Sequence, residues 1–443
     1  MWPKLVRIAA AGFALLLLLE ATRETAGDDD PPPRSVLLFY SGDTRGVLEP
    51  CGCTSGQLGG VVHRDSFLAR ARAARPDALV LDHGGLVDEP GRQPSMKFGV
   101  SLDAMRTMDY AVVNVGKGDL LQGVDSLVET AGASGLVFVS ANVRIAGREP
   151  PFRAYRVVRA GDVSVAILGV LSPESGRGLG AGGYLVLEDP ATALAPAIRQ
   201  AREEAAVLVL LAHAGAEEAA AIAEACPDLA VVIHGGEEDE PSEPVRVGRT
   251  LVVSAGSKGR HLGRIEIPLD EAGQPGEAAH EAIPMDEGTG ESARMKDLLA
   301  AYQVRLREER ILETRPRGEH PRGKYAGSAA CQDCHEREYG IWRGTAHSHA
   351  YETLEREKHD WDPECAVCHS TGFAWESGFL SPSATPALGG VGCESCHGPG
   401  EEHAARGGEV PTEPVAATTC RTCHTATQTP HFDYRTFFEK IAH

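Results

Sequence analysis

Aromatic side chains are scarce. Phe, Tyr and Trp make up 5% of the 443 residues, although hydrophobic residues as a whole reach 42%. Most of the chain must therefore build its core from Ala, Val, Leu and Ile. Positive charge is also in short supply: 43 Lys plus Arg stand against 63 Asp plus Glu, a formal net charge of −20. Such a surface repels nucleic acid and anionic lipid, so no nucleic-acid partner is expected. Long apolar runs are missing except near the start, where Ile8 to Leu19 follow Lys4 and Arg7. That run suits a signal-peptide core and is short for a membrane span. Glu20, Arg23 and Glu24 interrupt the region where a cleavage site would fall. Residues 1–26 thus read as a signal peptide or as an uncleaved anchor that tethers the chain to a membrane. Residues 27–34, "GDDDPPPR", read as a disordered spacer. The expected location is periplasmic or otherwise exported, and the length predicts two or three domains.

Cysteine, by contrast, is patterned. Eight of the eleven fall into four copies of one motif: "CQDCH" (Cys331, Cys334, His335), "CAVCH" (Cys365, Cys368, His369), "CESCH" (Cys393, Cys396, His397) and "CRTCH" (Cys420, Cys423, His424). Two cysteines three apart can each form a thioether to a haem vinyl group while the next histidine ligates the iron. Paired C-x-x-C units also build zinc sites, but zinc does not require a histidine after every pair. The sequence thus predicts four haem c groups, with His335, His369, His397 and His424 as proximal iron ligands. Residues 325–443 are too few to bury an ordinary core around four haems, so the haems become the core of a small, mainly helical domain. Six more histidines, His347, His349, His359, His403, His431 and His443, remain for second axial positions.

This segment resembles the tetrahaem cytochrome c-554 family. The resemblance rests on "CQDCH" with Trp342, Thr345, Ala346 and His347, on "CAVCHSTGF", on "GVGCESCHGPGEEH", and on "CRTCH" followed by "FDY" and His443. It implies that His347 and His403 are distal iron ligands. His349 competes with His347, and His443 is the candidate near the fourth haem. It also implies that one haem can lack a protein distal ligand.

Ahead of the haem motifs, apolar runs such as "SVLLFYSGD", "DALVLDHGG", "VSVAILGVLSP", "AAVLVLLAHAG" and "LAVVIHGGEE" alternate with Ala- and Arg-rich helical stretches. Such runs read as buried strands of an α/β fold with polar residues at their C-terminal ends, where α/β folds place their sites. The order of these ends over residues 35–270 resembles the calcineurin-like metallophosphoesterases, in particular the secreted 5′-nucleotidases. The resemblance implies a β-sandwich flanked by helices and a site for two metal ions. Asp43 and His213 stand at ligand positions of that family. The other positions hold Arg45, Gly85, Lys117, Gly118, Gly236 and Glu238, with Asp82, His83 and His234 nearby. One aspartate and one histidine cannot hold two cations at normal ligand counts, so no divalent metal is expected in this domain.

Cys51 and Cys53, in the Gly-rich loop "EPCGCTSGQLGG", are a candidate redox dithiol or a plain structural pair. Cys226 reads as a small buried residue, and "SGRGLGAGG" at Ser175 lacks the lysine of a phosphate loop. Residues 271–324 read as an acidic linker followed by one amphipathic helix in "SARMKDLLAAYQVRLREERILE". The expected function is electron transfer with redox partner proteins. The alternatives are a haem oxidoreductase acting on a small nitrogen or sulfur compound, and an active phosphoesterase.

Overall fold

The computed structural model describes residues 34–50, 56–179, 183–235, 239–426 and 428–443. The signal or anchor segment, Cys51, Cys53, Gly236 and Glu238 lie outside them. The strands in the first half are β1 (Ser35–Ser41), β2 (Leu79–Asp82), β3 (Val112–Asn114), β4 (Phe138–Val139), β5 (Val143–Ile145), β6 (Tyr155–Ala160) and β7 (Val163–Leu171). There follow β8 (Leu185–Leu187), β9 (Val207–His213), β10 (Val231–Gly235), β11 (Val245–Val247), β12 (Thr250–Val253), β13 (His261–Pro268) and β14 (Ala279–Pro284).

Two six-stranded sheets result, in the orders β14-β13-β1-β2-β3-β4 and β11-β12-β10-β9-β7-β6. Their central strands are parallel and their edge hairpins antiparallel. Side-chain alternation sorts each central strand between two cores. Val36, Leu38 and Tyr40 of β1 meet Val207, Val209 and Leu211 of β9 in the space between the sheets. Leu208, Leu210 and Ala212 turn the other way, onto the helices Pro190–Glu204 and Ala216–Ala225. Leu37 and Phe39 likewise face a layer that includes the helices Val61–Ala74, Arg92–Thr107 and Ala293–Glu308. The domain is thus the expected β-sandwich between helical layers.

The linker region departs from expectation in two places. β14 pairs with β13 from His261↔Pro284 to Glu266↔Ala279, and the following Met285 is fully buried, so the sandwich continues past residue 270. The amphipathic stretch is broken in two. Ser292 caps Ala293–Glu308 by accepting from Met295 N, and Arg310 then turns left-handed (φ 50°) before Ile311–Thr314.

The C-terminal region is a chain of short helices with little apolar interior of its own. Helices Glu336–Arg343, Glu401–Ala405, Ala417–Arg421 and Tyr434–Phe438 bury no residue. Tyr351, Leu354, Trp361, Ala366, Phe373, Phe379 and Leu388 are buried, and they belong to the same apolar cluster as Met96, Leu299, Tyr302 and Leu306. Polar contacts reinforce this seam. Gln93 Nε2 donates to Asp362 Oδ1 at 2.9 Å, Gln303 Nε2 to Asp362 Oδ2 at 3.2 Å, and Arg307 to Asp360 at 2.7 Å.

Candidate haem module and the cleft of the sandwich

In a C-x-x-C-H turn the two sulfurs and the imidazole sit at i, i+3 and i+4, which a helical turn puts on one face. Pro363–His369 and Cys393–His397 are such turns. The nine described cysteines form no disulfide. The free thiols of Cys331 and Cys393 lie within hydrogen-bond reach of each other, as do those of Cys368 and Cys423, which brings the first motif to the third and the second to the fourth.

Three motif histidines each face a histidine from elsewhere in the module. The ring centroids are 6.2 Å apart for His335 and His403, 6.2 Å for His347 and His424, and 6.0 Å for His397 and His443. Imidazole nitrogens bound about 2 Å from one metal on opposite sides set their centroids about 6 Å apart, so each pair has room for one iron. Three of these six rings have a nitrogen engaged: His403 Nδ1 meets Val410 O at 2.7 Å, His424 Nδ1 meets Thr429 Oγ1 at 3.1 Å and His443 Nδ1 meets Ile441 O at 3.0 Å. Burial pushes the pKa values of His347, His397 and His424 down, which favours the neutral form that ligates metal.

His369 is placed differently. Its Nδ1 meets Ala350 O at 2.7 Å, and among the described residues no histidine ring stands opposite it. His349 is half-buried, with Nδ1 3.0 Å from Glu352 Oε1 and Nε2 3.2 Å from Arg343 O, and both ring nitrogens are thereby occupied. His443 lies against His397 of the third motif and not beside the fourth. Phe432 stacks on His424 at 4.8 Å and Phe437 meets it edge-on, so the chain end passes that ring by.

Sequence reasoning missed Glu394, the second residue of the third motif. Its buried carboxylate accepts from Ala326 N and Gly327 N at 2.8 Å and from Gly400 N at 2.7 Å. It ties the entry to the first motif to the turn after the third. An acidic residue inside C-x-x-C carries no signal of that role.

In the sandwich, the C-terminal ends of β1, β2 and β9 deliver Asp43, His83 and His213 to one cleft, and Ser41 pairs in register with Asp82. All three are buried, and His213 Nδ1 lies 3.5 Å from Asp43 Oδ1. Burial raises Asp43 to about 7, against the lowering pull of Arg45. Burial lowers His83 to about 3, helped by His213 and His234, and lowers His213 to about 4, helped by Arg45 and Lys117.

The residues do not fit a two-metal site. Arg45 pairs with Asp239 at 3.5 Å. A Cβ on Gly85 would fall 2.3 Å from Asp43 Oδ1, and one on Gly118 would fall 1.6 Å from Val87 O. Asp119 stands beside these positions and serves the backbone, accepting from Gly85 N, Leu86 N and Gly116 N. Burial outweighs those donors and raises it to about 7.

Fold and module together define a c-type cytochrome segment joined to a domain of calcineurin-like phosphoesterase fold. Residues 330–398 match the family model for cytochrome c554 and c-prime. Over 91 residues the chain is 37% identical to cytochrome c-554 of Nitrosomonas europaea, covering 17% of this chain and 39% of that protein. Over 286 residues the chain is 25% identical to the 5′-nucleotidase of Homo sapiens, covering 58% of this chain and 49% of that one. The 5′-nucleotidase precursor of Thermus thermophilus superposes with a TM-score of 0.57 at 24% identity, over 65% of this chain and 61% of that one. The calcineurin-like phosphoesterase YfkN of Bacillus subtilis gives 0.54 at 16% identity, over 62% of this chain and 98% of that one. The chain thus spans about half or less of the curated relatives it matches.

Proposed function

We propose that this chain is an exported electron-transfer protein with four covalently attached haems, in which the phosphoesterase-like domain is the platform that carries them. The observation that supports this most directly is the set of three facing histidine pairs, each joining a motif histidine to one outside the motifs. A haem c bound at each motif supplies a one-electron iron couple. The chain's part is to fix both axial imidazoles and hold their outer nitrogens. It also brings the motifs together in pairs. The acidic surface suits a redox partner with a basic docking face. The apolar run Ile8 to Leu19 supports export, and no helix among the described residues is long and apolar enough to cross a membrane.

A second reading is favoured by His369, whose open side suits an exchangeable small ligand on the second haem and therefore a haem oxidoreductase. Low-temperature electron paramagnetic resonance of the oxidised protein, with haem counted per chain, tests both. The expected result is four haems, three low-spin and one high-spin, with the high-spin signal moved by cyanide. Four low-spin haems would overturn the open position, and fewer than four haems would overturn the carrier reading itself. Phosphate release from a nucleotide with added divalent metal would restore the nucleotidase, which the occupied ligand positions oppose.

A further inference from the structure

Asp43 and His213 are joined in the cleft by a residue that the two-metal pattern does not use. His83 follows the last residue of β2, and its ring enters the cleft between two glycines. A Cβ on Gly42 would lie 2.1 Å from His83 Nε2, and one on Gly235 would lie 2.3 Å from His83 Cε1 and 2.9 Å from Asp43 Oδ2. Neither glycine has the positive φ that would call for glycine on backbone grounds, so both are there for the space they leave. One ligand atom from each of Asp43, His83 and His213 lies within 4.8 Å of the others. Three ligands about 2.0–2.2 Å from one ion sit about 3–4 Å apart, so a small inward movement closes the set.

Several polar atoms of this set also lack hydrogen bonds. Asp43 Oδ2, His83 Nδ1 and His213 Nδ1 are buried with no hydrogen bond, in residues no more than 5% exposed. Orphaned polar atoms at this depth are costly and call for an explanation. The surrounding loops are held firmly. Asn114 Nδ2 donates to His83 O at 3.1 Å, Asp43 N to Gly84 O at 2.7 Å and Lys258 N to Asp43 O at 2.7 Å, while Asp43 itself is left-handed at φ 46°. Strain of this kind, kept by a fixed frame, gathers at functional sites.

We propose that Asp43, His83 and His213 form a mononuclear site for one divalent first-row transition ion, replacing the two-metal site of the phosphoesterases. One carboxylate and two imidazoles suit zinc or iron(II) and leave a coordination position open.

The test uses the full haem-loaded protein, stripped with a chelator and titrated with zinc chloride by calorimetry. Zinc content is read by mass spectrometry and zinc-edge X-ray absorption gives the ligand atoms. One zinc per chain with only nitrogen and oxygen neighbours is expected. His83→Gln and Asp43→Asn should each weaken it by more than about 100-fold, beyond what losing an outer supporting residue costs. Haem content and haem spectrum should stay unchanged, and His349→Gln should bind zinc as the parent does. No bound zinc would overturn the proposal, as would sulfur neighbours or equal binding by folded His83→Gln and Asp43→Asn. Should His83→Gln fail to fold, Asp43→Asn and the absorption spectrum of the parent decide it.

Discussion

His280 lies against Tyr40, with the tyrosine hydroxyl 2.8 Å from Nε2, and burial lowers its pKa from 6.5 to about 4. The unfolded chain therefore takes up a proton at this site before the folded one does. Stability from this residue is complete above about 6.5 and is lost as the pH falls toward 4. A His280→Gln variant should flatten that part of the denaturation-midpoint profile against pH; an unchanged slope would rule the residue out. Among the haem histidines, His403→Ala should convert one low-spin haem to high-spin, and His349→Ala should leave the spectrum as it was. The motif half of each facing histidine pair was legible in the sequence because the C-x-x-C-H pattern sets it within five consecutive residues. For the other half the residues alone left six histidines open: the family resemblance singled out His347 and His403, but it set His443 by the fourth motif, because these rings reach their partners only through the tertiary fold. His83 was harder still to read. Its place depends on Gly42 and Gly235, which lie at the ends of other strands and show nothing in sequence beyond being glycine.

The helix Ala293–Glu308 places Met295, Leu299, Tyr302 and Leu306 toward the interior, where the last three meet the haem module's cluster from the sandwich side. Leu306 is fully buried, so Leu306→Ala should cost about 2–5 kcal/mol in chemical denaturation. Asp362→Ala should cost about 1–3 kcal/mol by stranding the Gln93 and Gln303 amides, and limited proteolysis should then cut more readily between the two parts. Protection equal to the parent would show that apolar contact alone holds the seam. The apolar period of this helix was legible, but its break at Arg310 was not, because left-handed backbone at an arginine has no sequence signature. β14 was read as linker for a related reason. At the sheet edge only some of its residues are covered, so "AHEAIP" lacks the continuous apolar run that marks β7 and β9.

Across the whole chain, the sandwich has its own cores while the last fifty residues have almost none. Haem-free protein should keep the α/β signature in circular dichroism yet be cleaved readily in residues 399–443, where the short helices bury nothing. Fragments located by mass spectrometry would check this, and uniform resistance would mean that the polypeptide alone holds the module together. The single apolar cluster running from Met96 through Tyr302 to Phe379 has one more consequence. Synthesis proceeds from the N-terminus, so the sandwich and its helix are complete before Tyr351 to Leu388 emerge. The finished domain then offers Tyr351 to Leu388, which bracket the second C-x-x-C-H motif, a ready apolar face to fold against.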